Sequence, residues 1–303
     1  MRKSTILIIF SMMILFSCSD FGLRPHKKQN REQYPPQKLF EGIQLQAAQK
    51  IFDEDNSGLE NMINTQPEII NQLSEKKGYT LLLYATMLEN IKGMEVLLQK
   101  GADPNIITPD LFSSPVSQAV GTNNYEMLNV LLKYKAKLNP AIGVSPLSDA
   151  MLLGGEGTER KMIDYLLEHG ADINHVSYDG GNIMENAARD DLKLAIYFLE
   201  KGGQPKIKGT ESCPMARYIQ FEEENQRKHN KTENLNEILA FKKQLIEKYN
   251  VQFPYKEDPV EIAKLNIRSY ENMSEKDKKS LNFNDNYGEK QYKKNKEFVD
   301  GQK

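Results

Sequence analysis

A short phrase returns four times within residues 78–204, and its spacing constrains the fold more than any other feature of the chain. Gly101-Ala102-Asp103-Pro104-Asn105 is followed by Lys135-Ala136-Lys137-Leu138-Asn139, by Gly170-Ala171-Asp172-Ile173-Asn174 and, shortened, by Gly202-Gly203-Gln204. An apolar pair precedes each phrase: Leu97-Leu98, Leu131-Leu132, Leu166-Leu167 and Phe198-Leu199, at intervals of 34, 35 and 32 residues. Upstream of each pair lies a second landmark, a turn that runs into an apolar helix start. These starts are Thr80-Leu81-Leu82-Leu83-Tyr84-Ala85, Ser114-Pro115-Val116-Ser117-Gln118-Ala119, Ser145-Pro146-Leu147-Ser148-Asp149-Ala150 and Asn182-Ile183-Met184-Glu185-Asn186-Ala187. Thr80, Ser114, Ser145 and Asn182 are suited to cap a helix, and Pro115 and Pro146 fall where a missing N–H costs nothing. A unit of this length cannot bury its apolar face alone and must stack on its neighbours.

The helix starts resemble the Thr-Pro-Leu-His-x-Ala signature of ankyrin repeats, whose period is about 33 residues. The resemblance implies an all-α, ankyrin-repeat solenoid of about five to six helix-turn-helix repeats with short β-hairpin turns. The signature His is absent from all four starts, with Leu83, Ser117, Ser148 and Glu185 in its place, so the turn network it supports must be rebuilt. The expected layout is a signal peptide over residues 1–17, a tether over 18–38, the repeat domain over 39–253 and a polar extension over 254–303. A degenerate first repeat begins at Leu39, and a divergent sixth follows Cys213-Pro214-Met215-Ala216, with a polar stretch over residues 221–235 inside it, so that its paired helices either extend past the stack or carry a solvated insert. The run Val260-Glu261-Ile262-Ala263-Lys264-Leu265 is expected to form one more helix, and much of the remainder, rich in Lys, Asn, Asp and Glu, to be disordered or only loosely docked.

Arg2 and Lys3 precede an apolar run over residues 6–16, too short to span a bilayer, and Ser17-Cys18 closes it. The pattern resembles a bacterial lipoprotein signal, in which Cys18 becomes the lipidated first residue of the mature protein. Removing Arg2 and Lys3 from 40 basic residues against 42 acidic ones leaves a mildly acidic chain. Some twenty flexible tether residues would reach about 25 Å from the membrane. With Cys18 lipidated, Cys213 is the remaining thiol of two and no intramolecular disulfide can form.

Catalytic chemistry is hard to assemble from this composition. His26 lies in the tether, His169 at a helix end, His229 in the polar stretch and His175 on a turn, and no Cys pair, phosphate-binding loop or nucleophile elbow is present. Asp53, Asp55, Ser57 and Gly58 match the first half of a calcium loop, but its twelfth position is Asn64, without a bidentate carboxylate. No enzyme activity, cofactor or metal is expected, and the near-neutral charge argues against nucleic acid.

What the ankyrin resemblance implies instead is protein binding. Its usual concave face maps here onto Tyr84, Met87, Leu88, Gln118, Asp149, Leu152, Asn186 and Arg189 on the first helices, with Leu111, Phe112, His175 and Tyr178 on the turns. Phe112 and Tyr178 are expected to project from turns with no core to bury them. The expected protein is a monomer when free, anchored to the membrane through its N-terminal lipid and facing the periplasm of the bacterial cell envelope. By architecture it resembles immunity lipoproteins that neutralise a toxic effector, such as a phospholipase delivered by type VI secretion. The alternative is an envelope scaffold that holds a catalase or a cell-wall enzyme near the membrane.

Overall fold

The computed structural model describes residues 26–109, 113–153, 157–176, 178, 182–230, 234–282 and 285–302. Among them the regular structure is helical, with no strand and one isolated antiparallel bridge, Val176 to Asn182. The fold is an all-α ankyrin-repeat solenoid, as the spacing requires. Two short helices come first, α1 (His26–Gln33) and α2 (Pro36–Leu39), then the pair α3 (Gly42–Phe52) and α4 (Asn56–Thr65). The recurrent pairs follow: α5 (Leu81–Met87) with α6 (Ile91–Gln99), α7 (Pro115–Gly121) with α8 (Tyr125–Lys133), α9 (Pro146–Met151) with α10 (Thr158–Glu168), and α11 (Ile183–Asp190) with α12 (Leu192–Glu200). A longer pair, α13 (Pro214–Lys228) and α14 (Leu235–Tyr249), precedes α15 (Pro259–Glu271), α16 (Glu275–Leu281) and α17 (Tyr287–Asp300).

Local chemistry accounts for these boundaries. The four expected caps all form: Thr80 accepts from the Leu83 N–H at 3.1 Å, Ser114 from Ser117 at 3.0 Å, Ser145 from Ser148 at 3.2 Å and Asn182 from Glu185 at 3.0 Å. Second helices are capped too, Asn90 accepting from Gly93 at 2.9 Å and Asn124 from Met127 at 3.1 Å. The apolar pairs and the recurrent phrase belong to one device. The carbonyls of Leu97, Leu131, Leu166 and Phe198 accept from the N–H groups of Ala102, Ala136, Ala171 and Gly203, a bond that closes a helix end through an intervening left-handed residue. That residue is Gly101, Gly170 and Gly202 at φ of 98°, 96° and 97°, and Lys135 at 64° in the remaining repeat.

The Asn that ends the phrase has its own task. Asn139 accepts from the Asp172 N–H at 2.7 Å and donates to the Gly170 carbonyl at 3.0 Å, so each phrase is clamped to the next. Asn174 does the same to Gln204 and Gly202, and Asn105 accepts from the Lys137 N–H at 2.7 Å. Asn71, ahead of the first phrase, holds Asp103 and Gly101 in the same way at 2.8 and 3.0 Å.

The chain divides into two compact bodies, one of residues up to 104 with 118–136 and 149–165, the other of 105–117, 137–148 and 166–303. Phe40, Ile51, Leu59, Ile63, Leu81, Leu82, Leu97 and Leu128 form the core of the first, and Phe198, Met215, Ile219, Phe241 and Leu245 that of the second.

Two expectations, the tether and the tail, need correction. Residues 26–38, read as part of a tether, carry α1 and α2. Their polar side chains bond to folded structure: Asn30 Nδ2 donates to the Met87 carbonyl at 2.8 Å, and the Arg31 guanidinium sits 4.3 Å over the Phe52 ring. Of the two readings of the polar stretch, the extended helix holds for residues 221–228, which are the second half of α13, tied to α14 by Lys242–Glu223 at 2.6 Å and to its own next turn by Arg227–Glu223 at 3.0 Å. In the tail, α15 covers the helix expected at residues 260–265, and the remainder, expected to be largely disordered or loosely docked, carries two more helices that meet the loops through a small apolar cluster. The calcium-like loop is used for folding, since Asp55 caps α4 by accepting from the Gly58 N–H at 2.9 Å and pairs with Lys50 at 2.7 Å. Asp55 is accordingly held below the usual carboxylate range, first by its bond to Lys50.

Candidate protein-binding surface

In the first body, Tyr84, Met87 and Leu88 do not face a partner. Tyr84 is fully buried, its Oη donates to the Tyr34 carbonyl at 3.0 Å and its ring meets Phe40 edge-on at 5.2 Å. Burial pushes its phenol well above the ordinary value. Met87 is buried beneath the same N-terminal segment, with its carbonyl taken by Asn30, and Leu88 is in the core. The physical reason is that α1 and α2 occupy the face these side chains would have offered. Gln118 and Asp149 are half-buried on α7 and α9. Leu152, one residue past α9, is 71% exposed.

In the second body, Tyr178 is also corrected: it is 7% exposed, its ring lies 5.8 Å from that of Tyr270, and its Oη donates to the Gly288 carbonyl at 3.2 Å. Burial, with Tyr287 and Tyr270 adding to it, pushes the phenol up to about 12. His175 is half-buried and its Nε2 is 2.6 Å from the Pro140 carbonyl. A carbonyl only accepts, so Nε2 carries the proton, and the ring joins one turn to the next rather than awaiting a ligand. Leu111 and Phe112 lie outside the described residues, as does Cys18.

Asn186 and Arg189 remain available on α11. Asn186 is half-buried, and Arg189 is exposed and forked onto Asp190 at 2.9 and 3.3 Å. Neighbouring Glu185 pairs with Arg217, which also reaches Glu257 at 3.0 Å, so charge alternates across α11 and α13. Arg189, Tyr218, Glu222, Gln226 and Glu237 rim a cleft of ≈350 Å³ between these helices and the start of α14. Burial, then Glu222 and Asp190, raise the Tyr218 phenol above its ordinary value, with Arg189 acting against them.

Sequence reasoning missed Phe221, which is 62% exposed on α13. The signal is available: Met215, Ala216 and Ile219 mark the buried stripe of α13, and Phe221 falls off it by helical spacing. Ile246, 46% exposed on α14, escapes its stripe in the same way.

Among the described residues no three His, Cys, Asp or Glu side chains converge as metal ligands, and no helix is long and apolar enough to cross a membrane. The arrangement offers chemistry for recognition: isolated apolar side chains, alternating charges and a polar cleft.

The ankyrin repeat family model matches residues 77–106, the stretch that contains α5, α6 and the first phrase. A putative ankyrin repeat protein of Borreliella burgdorferi is 24% identical over 203 residues, which is 66% of this chain and 88% of that protein. The mouse ankyrin repeat and SOCS box protein 6 is 26% identical over 164 residues, 52% of this chain; the match spans 39% of that protein, less than two thirds of its length. Ankyrin repeats are in general protein-binding scaffolds.

Proposed function

We propose that this chain is a non-enzymatic, protein-binding lipoprotein of the bacterial envelope, anchored through Cys18, that binds and neutralises a toxic protein effector. The observation that carries the binding reading is the exposure of two large apolar side chains, Leu152 just past α9 and Phe221 on α13: apolar side chains at the surface of a folded scaffold suit a partner's hydrophobic patch. The similarity to a bacterial ankyrin-repeat protein over most of that protein's length supports a bacterial reading of the basic, apolar and Ser17-Cys18 sequence. An effector must be silenced at low dose, which calls for a standard-size interface with a buried apolar anchor. Arg189 and the cleft rim would supply the polar surround in the second body.

Two measurements test this. Cys18→Ser should move the protein from the detergent phase to the soluble envelope fraction, because lipid is the membrane affinity the reading invokes. Deleting the gene should make cells sensitive to siblings that deliver the effector, and complementation with Phe221→Ser should protect less well than the parent gene at equal protein level. Full resistance of the deletion strain refutes the immunity reading.

A further inference from the structure

Three loops between successive helix pairs each contribute one apolar side chain to a common cluster: Ile107, Ile142 and Tyr178, exposed by 8%, 2% and 7%. The cluster is completed from the C-terminal helices, by Tyr270 of α15, Met273 just after it and Leu281 of α16, with Tyr292 of α17 at its edge. Tyr270 stacks on Tyr292 at 4.9 Å, and Gly288 of α17 is so close that a Cβ there would meet Leu281 at 2.4 Å and Tyr270 at 3.0 Å. Without α15, α16 and α17 the loops would show water a contiguous aromatic and aliphatic row, which a folded protein seldom leaves uncovered.

The cover is held lightly. Beyond the cluster, α15 buries Ala263 and α17 buries only Gly288, whereas α13 and α14 bury Met215, Ala216, Ile219, Ile238, Phe241 and Leu245. The linker ahead of α15 is fastened to α13: the Cys213 N–H donates to Tyr255 Oη at 2.8 Å, and Arg217 donates to Glu257 at 3.0 Å. Past Glu257 the polar ties include the Glu211 N–H to the Glu261 carboxylate at 3.1 Å and Tyr178 to Gly288. A segment with few buried side chains that begins at a fixed point is suited to open as a unit of its own while the repeats stay folded.

We propose that Ile107, Ile142 and Tyr178 form a helix-accepting interaction surface that the chain's own C-terminal helices keep closed. The partner it fits is a protein that presents an amphipathic helix with an aromatic ring and Met or Leu on one face, the chemistry that α15 and α16 now seat there. Binding is then a displacement, and the partner's apparent affinity is reduced by the fraction of time the cover is shut. The proposal rests on the protein-binding reading, and its test uses no outside partner, so either can fail without the other.

Hydrogen exchange on the full chain should show α15–α17 exchanging at least about tenfold faster than α11–α14. Tyr270→Ala should speed exchange in α15–α17 and in the loops at Ile107, Ile142 and Tyr178, and leave α11–α14 unchanged. A fluorescent synthetic peptide with the sequence of residues 258–302 should bind the Tyr270→Ala chain at least about tenfold more tightly than the parent, because the internal competitor is weakened. Gly288→Ala should act in the same direction from the other side of the contact, and adding Tyr178→Ser should abolish the gain. Exchange of α15–α17 in step with α11–α14, or equal peptide affinity for parent and both variants, overturns the proposal.

Discussion

Asn139→Ala removes one rung of the ladder that joins successive phrases, and its cost can be worked from geometry. The side chain makes two neutral hydrogen bonds, from the Asp172 N–H at 2.7 Å and to the Gly170 carbonyl at 3.0 Å. Each is worth about 1 kcal/mol net, and both partners sit in an exposed turn where water can replace Asn139, so no buried orphan adds to the loss. The expected destabilisation is about 1–2 kcal/mol. Repeat proteins can open locally, so the readout is amide exchange at Asp172 together with the urea midpoint at constant slope. Asn139→Asp keeps the acceptor for Asp172 and loses the donor to Gly170, so it should fall between Asn139→Ala and the parent. Lys137→Ala is the control, because the bond at that residue uses its backbone N–H, which the substitution leaves in place. Asn71→Ala shares no partner with Asn139→Ala, and the two should add. If Asn139→Ala lies within about 0.3 kcal/mol of the parent and Asp172 exchange is unchanged, the ladder does not hold the phrases together.

Lys135 sits at φ 64° where three other repeats have Gly, so Lys135→Gly should relieve strain and raise the urea midpoint, a gain of about 1 kcal/mol after the entropy of Gly is counted. Ala150 and Ala187 are fully buried, and Ala150→Leu or Ala187→Leu should each cost about 1–3 kcal/mol by overpacking, read as a lower thermal midpoint. Burial pushes the Cys213 thiol up to about 11, against an unfolded value near about 8.5. The neutral thiol is the favoured folded form, so its contribution is intact below about 8.5 and is lost as pH rises toward 11. In a Cys18→Ser chain, a disulfide reagent should therefore leave the native thiol unmodified at pH 8 and label it fully in denaturant.

The repeat phase is legible in the sequence because the devices that set it act within a few residues. Thr80, Ser114, Ser145 and Asn182 cap helices that begin at the next residue, and Leu97, Leu131 and Leu166 close helix ends with an Ala five residues on. The Asn at the end of each phrase was visible as a recurrence, but its role was not. Its partners lie 31 to 33 residues away for Asn139, and spacing alone does not say which backbone groups two loops bring together.

The partner face was the least legible part, for a reason that Tyr84 and Tyr178 make concrete. Periodicity tells which side of a helix a residue occupies and leaves open what covers that side. The cover over Tyr84 comes from the N-terminal segment, where the Tyr34 carbonyl takes its hydroxyl and Phe40 meets its ring, while α1 itself, with no aliphatic side chain and no Phe, Tyr or Trp, is tied to Met87 and Phe52 by Asn30 and Arg31. The cover over Tyr178 comes from a tail whose composition reads as unfolded, yet a few side chains, Tyr270, Met273 and Leu281 among them, suffice because the loops already present a matching row. A composition rule averages over a segment and misses a sparse anchor whose partner lies elsewhere in the chain. It follows that the aromatic side chains of an ankyrin-like face should be ranked as binding residues only after both ends of the chain have been placed, and by that ranking Leu152 and Phe221 come ahead of Tyr84 and Tyr178.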